Sequence, residues 1–270
     1  MNILQRLGLF PPPVTVPYYG DWTTLIWENR GAASVEPHPS VFTNYPIWGI
    51  DISKWQGDID LVKAKADGIR FVLAKCSEGY GYYDPKFERT YALCQELHLP
   101  LTAYHFVRPG VATQYQLDTI KKALEGKPVY GFALDCEVWD GQDSAKITDV
   151  IWNLLIKCKP FVNAERYFIY SRKSWWDYYV KRSTHWKEEA DAWPAHWGVE
   201  KPWVMADWPS WTVWQAGIVN NRFGVPGAID FDVWNPAVPF PGDEPPPADD
   251  FSLRLYVREL DKLIEVNDAN

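Results

Sequence analysis

From Ile47 to Ser171 five short apolar runs alternate with stretches of helical periodicity. Strand–helix repeats of this kind build a parallel sheet covered by helices, so few folds stay open. The first run is Trp48-Gly49-Ile50-Asp51-Ile52-Ser53; after the loop Lys54-Trp55-Gln56-Gly57 comes a helix that Asp58 can cap and Gly68 can end. The second is Ile69–Lys75, and beyond the loop Glu78-Gly79-Tyr80-Gly81 the pair Asp84-Pro85 supplies an N-cap and first position for the next helix. Leu99–Val107 is the third run, followed by a helix over 113–124. Residues 128–137 are the fourth, followed by a helix over 144–158, and Arg166–Ser171 is the fifth. Helical periodicity then fades, and three strand candidates, 190–197, 211–216 and 228–234, follow with little helix between them.

The expected fold is therefore α/β: an irregular TIM-like (β/α)5(β)3 barrel over 47–240, shorter than the about 250 residues typical of a full (β/α)8 barrel. Residues 1–46, rich in Pro and aromatics, read as an N-terminal arm that packs on the domain or on a partner. Residues 241–270 read as an acidic Pro-rich linker and an amphipathic C-terminal helix. There Leu253, Tyr256, Leu260 and Leu263 are spaced as a short coiled-coil seam, which suits folding back onto the barrel as well as self-association.

Composition narrows the function. A net charge of -8 without a basic run argues against nucleic acid. No apolar run is long enough to span a membrane. Met1–Pro17 lacks the basic and apolar regions of a Sec-type signal, so the chain is expected to be made without one. Cys76, Cys94, Cys136 and Cys158 lie too far apart for a CxxC metal pattern and read as buried free thiols. The histidines form no zinc signature, so neither a metal nor another cofactor is expected. The 16 Trp and 15 Tyr exceed what packing needs, and their flat faces with polar edges suit sugar rings.

The fourth run ends in Ala133-Leu134-Asp135-Cys136-Glu137. In an extended chain Asp135 and Glu137 share a face while Cys136 points away, with Cα atoms about 6.6 Å apart. Two carboxyls that close push their pKa values apart, which suits one to donate a proton and the other to stay ionised. A barrel of this class carries its site at the C-terminal ends of its strands. There the sequence collects Asp51, Ser53, Lys75, Ser77, Glu78, Tyr104, His105, Arg108, Asp135, Glu137, Tyr170, His196, Trp214, Gln215, Asp230 and Asp232. Acids and aromatics without a Ser/His/Asp order or a phosphate loop fit glycoside hydrolysis.

At these residues the sequence resembles the glycoside hydrolase family 25 muramidases, the Chalaropsis-type lysozymes. The matching stretches are Gly49–Gly57, Ile69–Lys75 with Ser77-Glu78-Gly79, Ala103-Tyr104-His105-Phe106, Ala133–Glu137, Ile169-Tyr170-Ser171, Trp214-Gln215 and Gly227-Ala228-Ile229-Asp230, in the family's order. The resemblance implies cleavage of the β-1,4 bond between N-acetylmuramic acid and N-acetylglucosamine in peptidoglycan. It assigns Glu137 as general acid/base and Asp135 as its partner, with Asp51 and Asp230 as the other acids of the site. Retention is implied, either through an enzyme nucleophile or through the substrate's own acetamido oxygen. Tyr104, Tyr170, Trp214 and Gln215 are candidates for binding or support, and packing would explain them equally well.

Glu78 is expected to pair with Lys75 or Arg108, and His105 and His196 to be structural. Asp232 stands where the family often carries Asn, and the Trp-rich stretch 193–198 departs from the family pattern in a way that would reshape a sugar subsite. A phage lysozyme, released as an endolysin or docked on a virion through the arm and terminal helix, fits these features. A non-catalytic glycan-binding or structural virion barrel and a chitinase-like N-acetylglucosaminidase are the alternatives.

Overall fold

The computed structural model describes residues 35–183 and 185–241. The coiled-coil seam and the arm before residue 35, with the self-association and docking expected of them, lie outside the described residues. Nine strands are present among those described: β1 (Trp48–Ile52), β2 (Ile69–Glu78), β3 (Tyr82–Tyr83), β4 (Leu101–Phe106), β5 (Val129–Asp135), β6 (Ala164–Arg172), β7 (Asp191–Ala195), β8 (Val213–Asn220) and β9 (Ala228–Trp234). Eight of them close into a barrel in the order β1-β2-β4-β5-β6-β7-β8-β9, because β1 pairs with both β2 and β9. Pairing is parallel from β1 round to β8, where β7 and β8 meet through Ala195 and Gln215. The last strand, β9, runs antiparallel to both its neighbours. The two-residue β3 folds back on the end of β2.

The helices are α1 (Val41–Asn44), α2 (Leu61–Ala66), α3 (Phe87–Glu96), α4 (Thr113–Ala123), α5 (Ser144–Cys158), α6 (Lys173–Tyr179) and α7 (Trp186–Glu189). In α5 the buried positions Ile147, Val150, Ile151, Leu154, Leu155 and Cys158 recur every three or four residues, the spacing that turns one face to the sheet. Capping differs from expectation at two places. Asp60, not Asp58, accepts from Lys63 N at 2.9 Å to cap α2, while Asp58 pairs with Lys86 at the surface. Asp84 does not cap α3: its carboxylate accepts from Lys54 N (3.0 Å) and Lys86 N (2.9 Å), tying the loop after β1 to the loop after β3. Helices α6 and α7 are too short to show a clear period, and it is buried tryptophans (Trp175, Trp176 and Trp186) that hold them to the barrel.

Alternation along the strands separates two cores. Ile50, Val72, Leu134, Ile169 and Phe231 face outward into the helix layer. Phe71, Phe168 and Trp234 face inward and meet, with ring centroids 5.8 and 6.4 Å from Trp234. They plug the barrel, and Gly49 makes room for the plug, since a Cβ there would lie 2.3 Å from the Phe71 ring. One step further along the same faces the interior turns polar.

Residues 35–46, assigned to the arm on sequence, pack on the outer side of β8 and β9. Val35 O accepts from Ile218 N at 2.9 Å, Phe42 lies 5.0 Å from Phe231, and Tyr45 lies 5.5 Å from both Trp211 and Trp214. No helix among the described residues is long and apolar enough to cross a membrane.

Candidate active site

Above the aromatic plug, inward positions of seven strands bring together Asp51 (β1), Tyr104 (β4), Asp135 (β5), Tyr170 (β6), Trp193 (β7), Gln215 (β8), and Asp230 and Asp232 (β9). All are buried. Strand β5 ends at Asp135, two residues before the expected end. The chain nevertheless stays extended against β6, because Cys136 N donates to Tyr170 O (2.9 Å) and Ser171 Oγ donates to Cys136 O (2.6 Å). Cys136 therefore faces the outer core, and Glu137 stands half-buried at the mouth, two residues from the buried Asp135.

Gln215 is the hub of the hydrogen bonding. Its Nε2 donates to Asp51 Oδ2 (2.8 Å), and its Oε1 accepts from Tyr170 Oη (2.9 Å) and Trp197 Nε1 (2.8 Å). Trp193 packs its ring 4.6 Å from Tyr170 and 6.2 Å from Tyr104, and its Nε1 donates to Asp232 Oδ1 at 2.8 Å. One carboxylate oxygen each of Asp135, Asp230 and Asp232 is buried and meets no donor.

So many acids in a dry space cannot all ionise. Burial is the main cause of a raised pKa at Asp51, Asp135, Asp230 and Asp232, and mutual repulsion adds to it: Glu137 acts on Asp135 and on Asp230, and Asp51 acts on Asp135, Asp230 and Asp232. Asp51, which accepts from Gln215 Nε2, rises only to about 6. Lys75 opposes the shift at Asp135. Burial and the surrounding acids also push the Tyr104 and Tyr170 phenols well up, so both are neutral hydrogen-bond donors.

The rim is held by ion pairs. Lys75 Nζ meets Glu78 at 2.7 Å, Arg108 reaches Glu78 at 3.1 Å, and Arg108 also grips Asp140 at 2.8 Å. Glu78 thus pairs with both expected partners. Beyond Glu137, Trp139 is 41% exposed and stacks on Tyr179 at 6.1 Å, leaving a flat face open near the acid. His105 is structural: Gln116 Oε1 can only accept, so His105 Nε2 carries the proton at 3.1 Å and Nδ1 accepts from Ser77 Oγ at 2.8 Å. Its burial pushes its pKa down to about 4.

Of the residues singled out on sequence, Asp51, Tyr104, Asp135, Glu137, Tyr170, Gln215 and Asp230 converge. Trp214 does not. Alternation with Gln215 turns it outward, where it is fully buried beside Tyr45 and Trp211 and donates to His196 O at 2.8 Å. In the Trp-rich stretch, Trp193 and Trp197 supply indole N–H groups to Asp232 and Gln215.

Residues 50–218 match the model of glycosyl hydrolases family 25. Lysozyme M1 of Streptomyces globisporus is 28% identical over 201 residues, covering 70% of this chain and 68% of that protein. Among solved structures, a bacterial lysozyme from Streptomyces coelicolor superposes with a TM-score of 0.60 at 26% identity, over 70% of this chain and 92% of its own. A family 25 glycosyl hydrolase from Bacillus anthracis shares the fold, with a TM-score of 0.64 at 19% identity over 76% and 94% of the two chains. The chain belongs to glycosyl hydrolase family 25.

Proposed function

We propose that this glycoside hydrolase is an N-acetylmuramidase that cuts the β-1,4 bond between N-acetylmuramic acid and N-acetylglucosamine in peptidoglycan, with Glu137 and Asp135 as its catalytic pair. The observation that carries the assignment is the contrast between the two carboxyls. Glu137 stands at the mouth, within reach of substrate and solvent, while Asp135 is buried beside it with an oxygen that no protein donor satisfies.

Glu137 gives its proton to the glycosidic oxygen as the bond to the muramic acid C1 breaks, and the glucosamine alcohol departs. The positive charge at C1 is met from the opposite face, either by the Asp135 carboxylate or by the substrate's 2-acetamido oxygen with Asp135 holding the acetamido N–H. Water then adds to C1 while Glu137 takes back a proton, and the configuration is retained. Asp51 adds negative charge where the cation develops, and the neutral Tyr104 hydroxyl can donate to substrate or acid. The open face of Trp139 offers a surface on which a sugar ring can stack.

The test is a digest of purified peptidoglycan with the wild type and with Glu137→Gln, read by mass spectrometry after borohydride reduction. Reduced muramic acid ends from the wild type, lost by about 10²–10⁴-fold in the variant, are expected. Reduced glucosamine ends would mean an N-acetylglucosaminidase, and no release by either protein would mean a binding or structural barrel. Delivery as a phage endolysin or virion lysozyme is the accompanying proposal, resting on residues 1–34 and 242–270. A chain cut to 35–241 that matched the full chain in every sizing and particle-binding assay would overturn it.

A further inference from the structure

The turn that follows β1 is fixed from several sides. Ser53 Oγ accepts from Trp55 N (3.3 Å) and Ser53 N donates to Gln56 Oε1 (2.9 Å), a reciprocal cap on the short turn Lys54–Gln56. Lys54 N donates to Asp84 Oδ2 (3.0 Å), which ties the turn to the loop after β3. Gln56 is buried, yet its neighbour Trp55 is 60% exposed. An indole held in water on a fixed turn adds nothing to the core. Nor does it stand alone. Lys54 Nζ lies over the Trp55 ring, 4.8 Å from its centroid, and over the Tyr82 ring at 5.1 Å. Lys75 Nζ lies over the same Tyr82 ring at 5.5 Å and meets Glu78 at 2.7 Å. Trp55, Lys54, Tyr82 and Lys75 therefore run without a break from the outer rim to the cation that acts on Asp135.

We propose that Trp55, seated by Lys54 and Tyr82, is a sugar-binding platform for the same glycan strand, remote from the scissile bond and on the far side of the acids from Trp139. This rests on the reading of the mouth as a peptidoglycan site. Strand β1, which leads into the turn, is separated from β5 by β2 and β4 in one direction and by β6 to β9 in the other. Trp55 and Trp139 thus stand on different parts of the rim, and a strand of N-acetyl sugars crossing the mouth meets a ring on each side. The CH face of a pyranose packs well on an indole. The cation between the Trp55 and Tyr82 rings and the cap on the turn hold the platform in place beforehand, so little freedom is lost when a sugar lands on it.

The experiment compares wild type, Trp55→Ala and Trp55→Phe on peptide-free glycan strands sorted by length. Trp55→Ala should raise KM for long strands by about tenfold with kcat little changed, and leave the shortest strands that are cut unaffected. Trp55→Phe keeps a flat ring and should stay within about threefold of the wild type on both. The melting temperature should not move, because the surface removed is exposed. Equal losses on short and long strands, with a lowered melting temperature, would make Trp55 a support of the turn and overturn the platform; an unchanged KM on long strands would overturn it too. The same pair of side chains is then compared in a Glu137→Gln background by sedimentation with insoluble peptidoglycan, where Trp55→Ala should weaken binding. That readout needs no turnover, so undiminished sedimentation defeats the platform whether or not the catalytic pair stands. Full activity of Glu137→Gln would instead remove the catalytic assignment and leave the length dependence at Trp55 to be read as before.

Discussion

Gln215 Nε2 donates to Asp51 Oδ2 at 2.8 Å, joining residues 164 positions apart across the seam where β8, β9 and β1 close the barrel. The same amide accepts the Tyr170 hydroxyl and the Trp197 indole, so three strands and a loop agree on the orientation of one carboxylate. Replacing Gln215 by Leu leaves Tyr170 Oη and Trp197 Nε1 without their acceptor and Asp51 without a donor. A destabilisation of at least about 1–3 kcal/mol is expected, the cost of an unsatisfied buried polar group. The pKa of Asp51 should also rise above about 6, because the Gln215 bond is one of the interactions that lower it. Denaturant melts and the acid limb of the rate profile measure the two effects separately, and a variant with wild-type stability would remove Gln215 from its central place.

Asp135 and Asp230 set activity against stability. Each holds a buried oxygen that no donor satisfies, and each has its pKa pushed well up by burial first. Asp135→Asn should therefore match or exceed the wild type in thermal stability at neutral pH while losing about 10²–10⁴-fold in kcat. A variant that lost both would mean that the carboxylate supports the fold.

The pH dependence of stability follows from the same acids. An unfolded aspartate ionises near about 3.9. The folded state holds its protons longer, to about 6 at Asp51 and well above the unfolded value at Asp135, Asp230 and Asp232. Between those limits the native state binds more protons than the unfolded one, so stability is full below about pH 4 on this account and falls as pH rises through the folded values. His105, pushed down to about 4, acts in the opposite sense up to its unfolded value near about 6.5, one group against four. The melting temperature without substrate should thus be higher at pH 5 than at pH 8, and a steady rise over that range would contradict the buried cluster.

Trp139 should matter for binding more than for chemistry. Its exposed face lies two residues beyond Glu137 and is backed by Tyr179. Trp139→Ala is expected to raise KM for long glycan strands by about tenfold, equivalent to one stacked ring, with kcat little changed. Unaltered KM would leave the Trp139–Tyr179 stack a purely structural contact.

The segment before β1 is seated by close approach. A Cβ on Gly217 would lie 2.6 Å from Val35 O and 2.7 Å from Pro37 N. Gly217→Ala should cost about 1–3 kcal/mol and expose residues 35–46 to limited proteolysis. Proteolysis unchanged from wild type would show that the segment can shift at no cost.

Local order along the chain already specifies much of this protein. The alternation of periods sets the strands and their helices, β9 and α5 fall at their expected residues, and the Asp135–Glu137 spacing puts two carboxyls at the end of β5. These are short-range properties, legible because side-chain direction repeats every two residues in a strand and every three or four in a helix. Caps were harder, since Asp58, Asp60 and Asp84 are alike in type and only the path of the loops decides which one meets a free backbone N–H. What closure of the sheet alone decides is which neighbour each side chain finds. It turns Gln215 inward to Asp51 and Trp214 outward to Tyr45, and it sets Trp193 on Asp232 from 39 positions away. Burial of the acids is decided there too. A carboxyl's pKa depends on the water it loses and the charges it meets, and both are fixed by the closed barrel, not by the residues beside it in the chain.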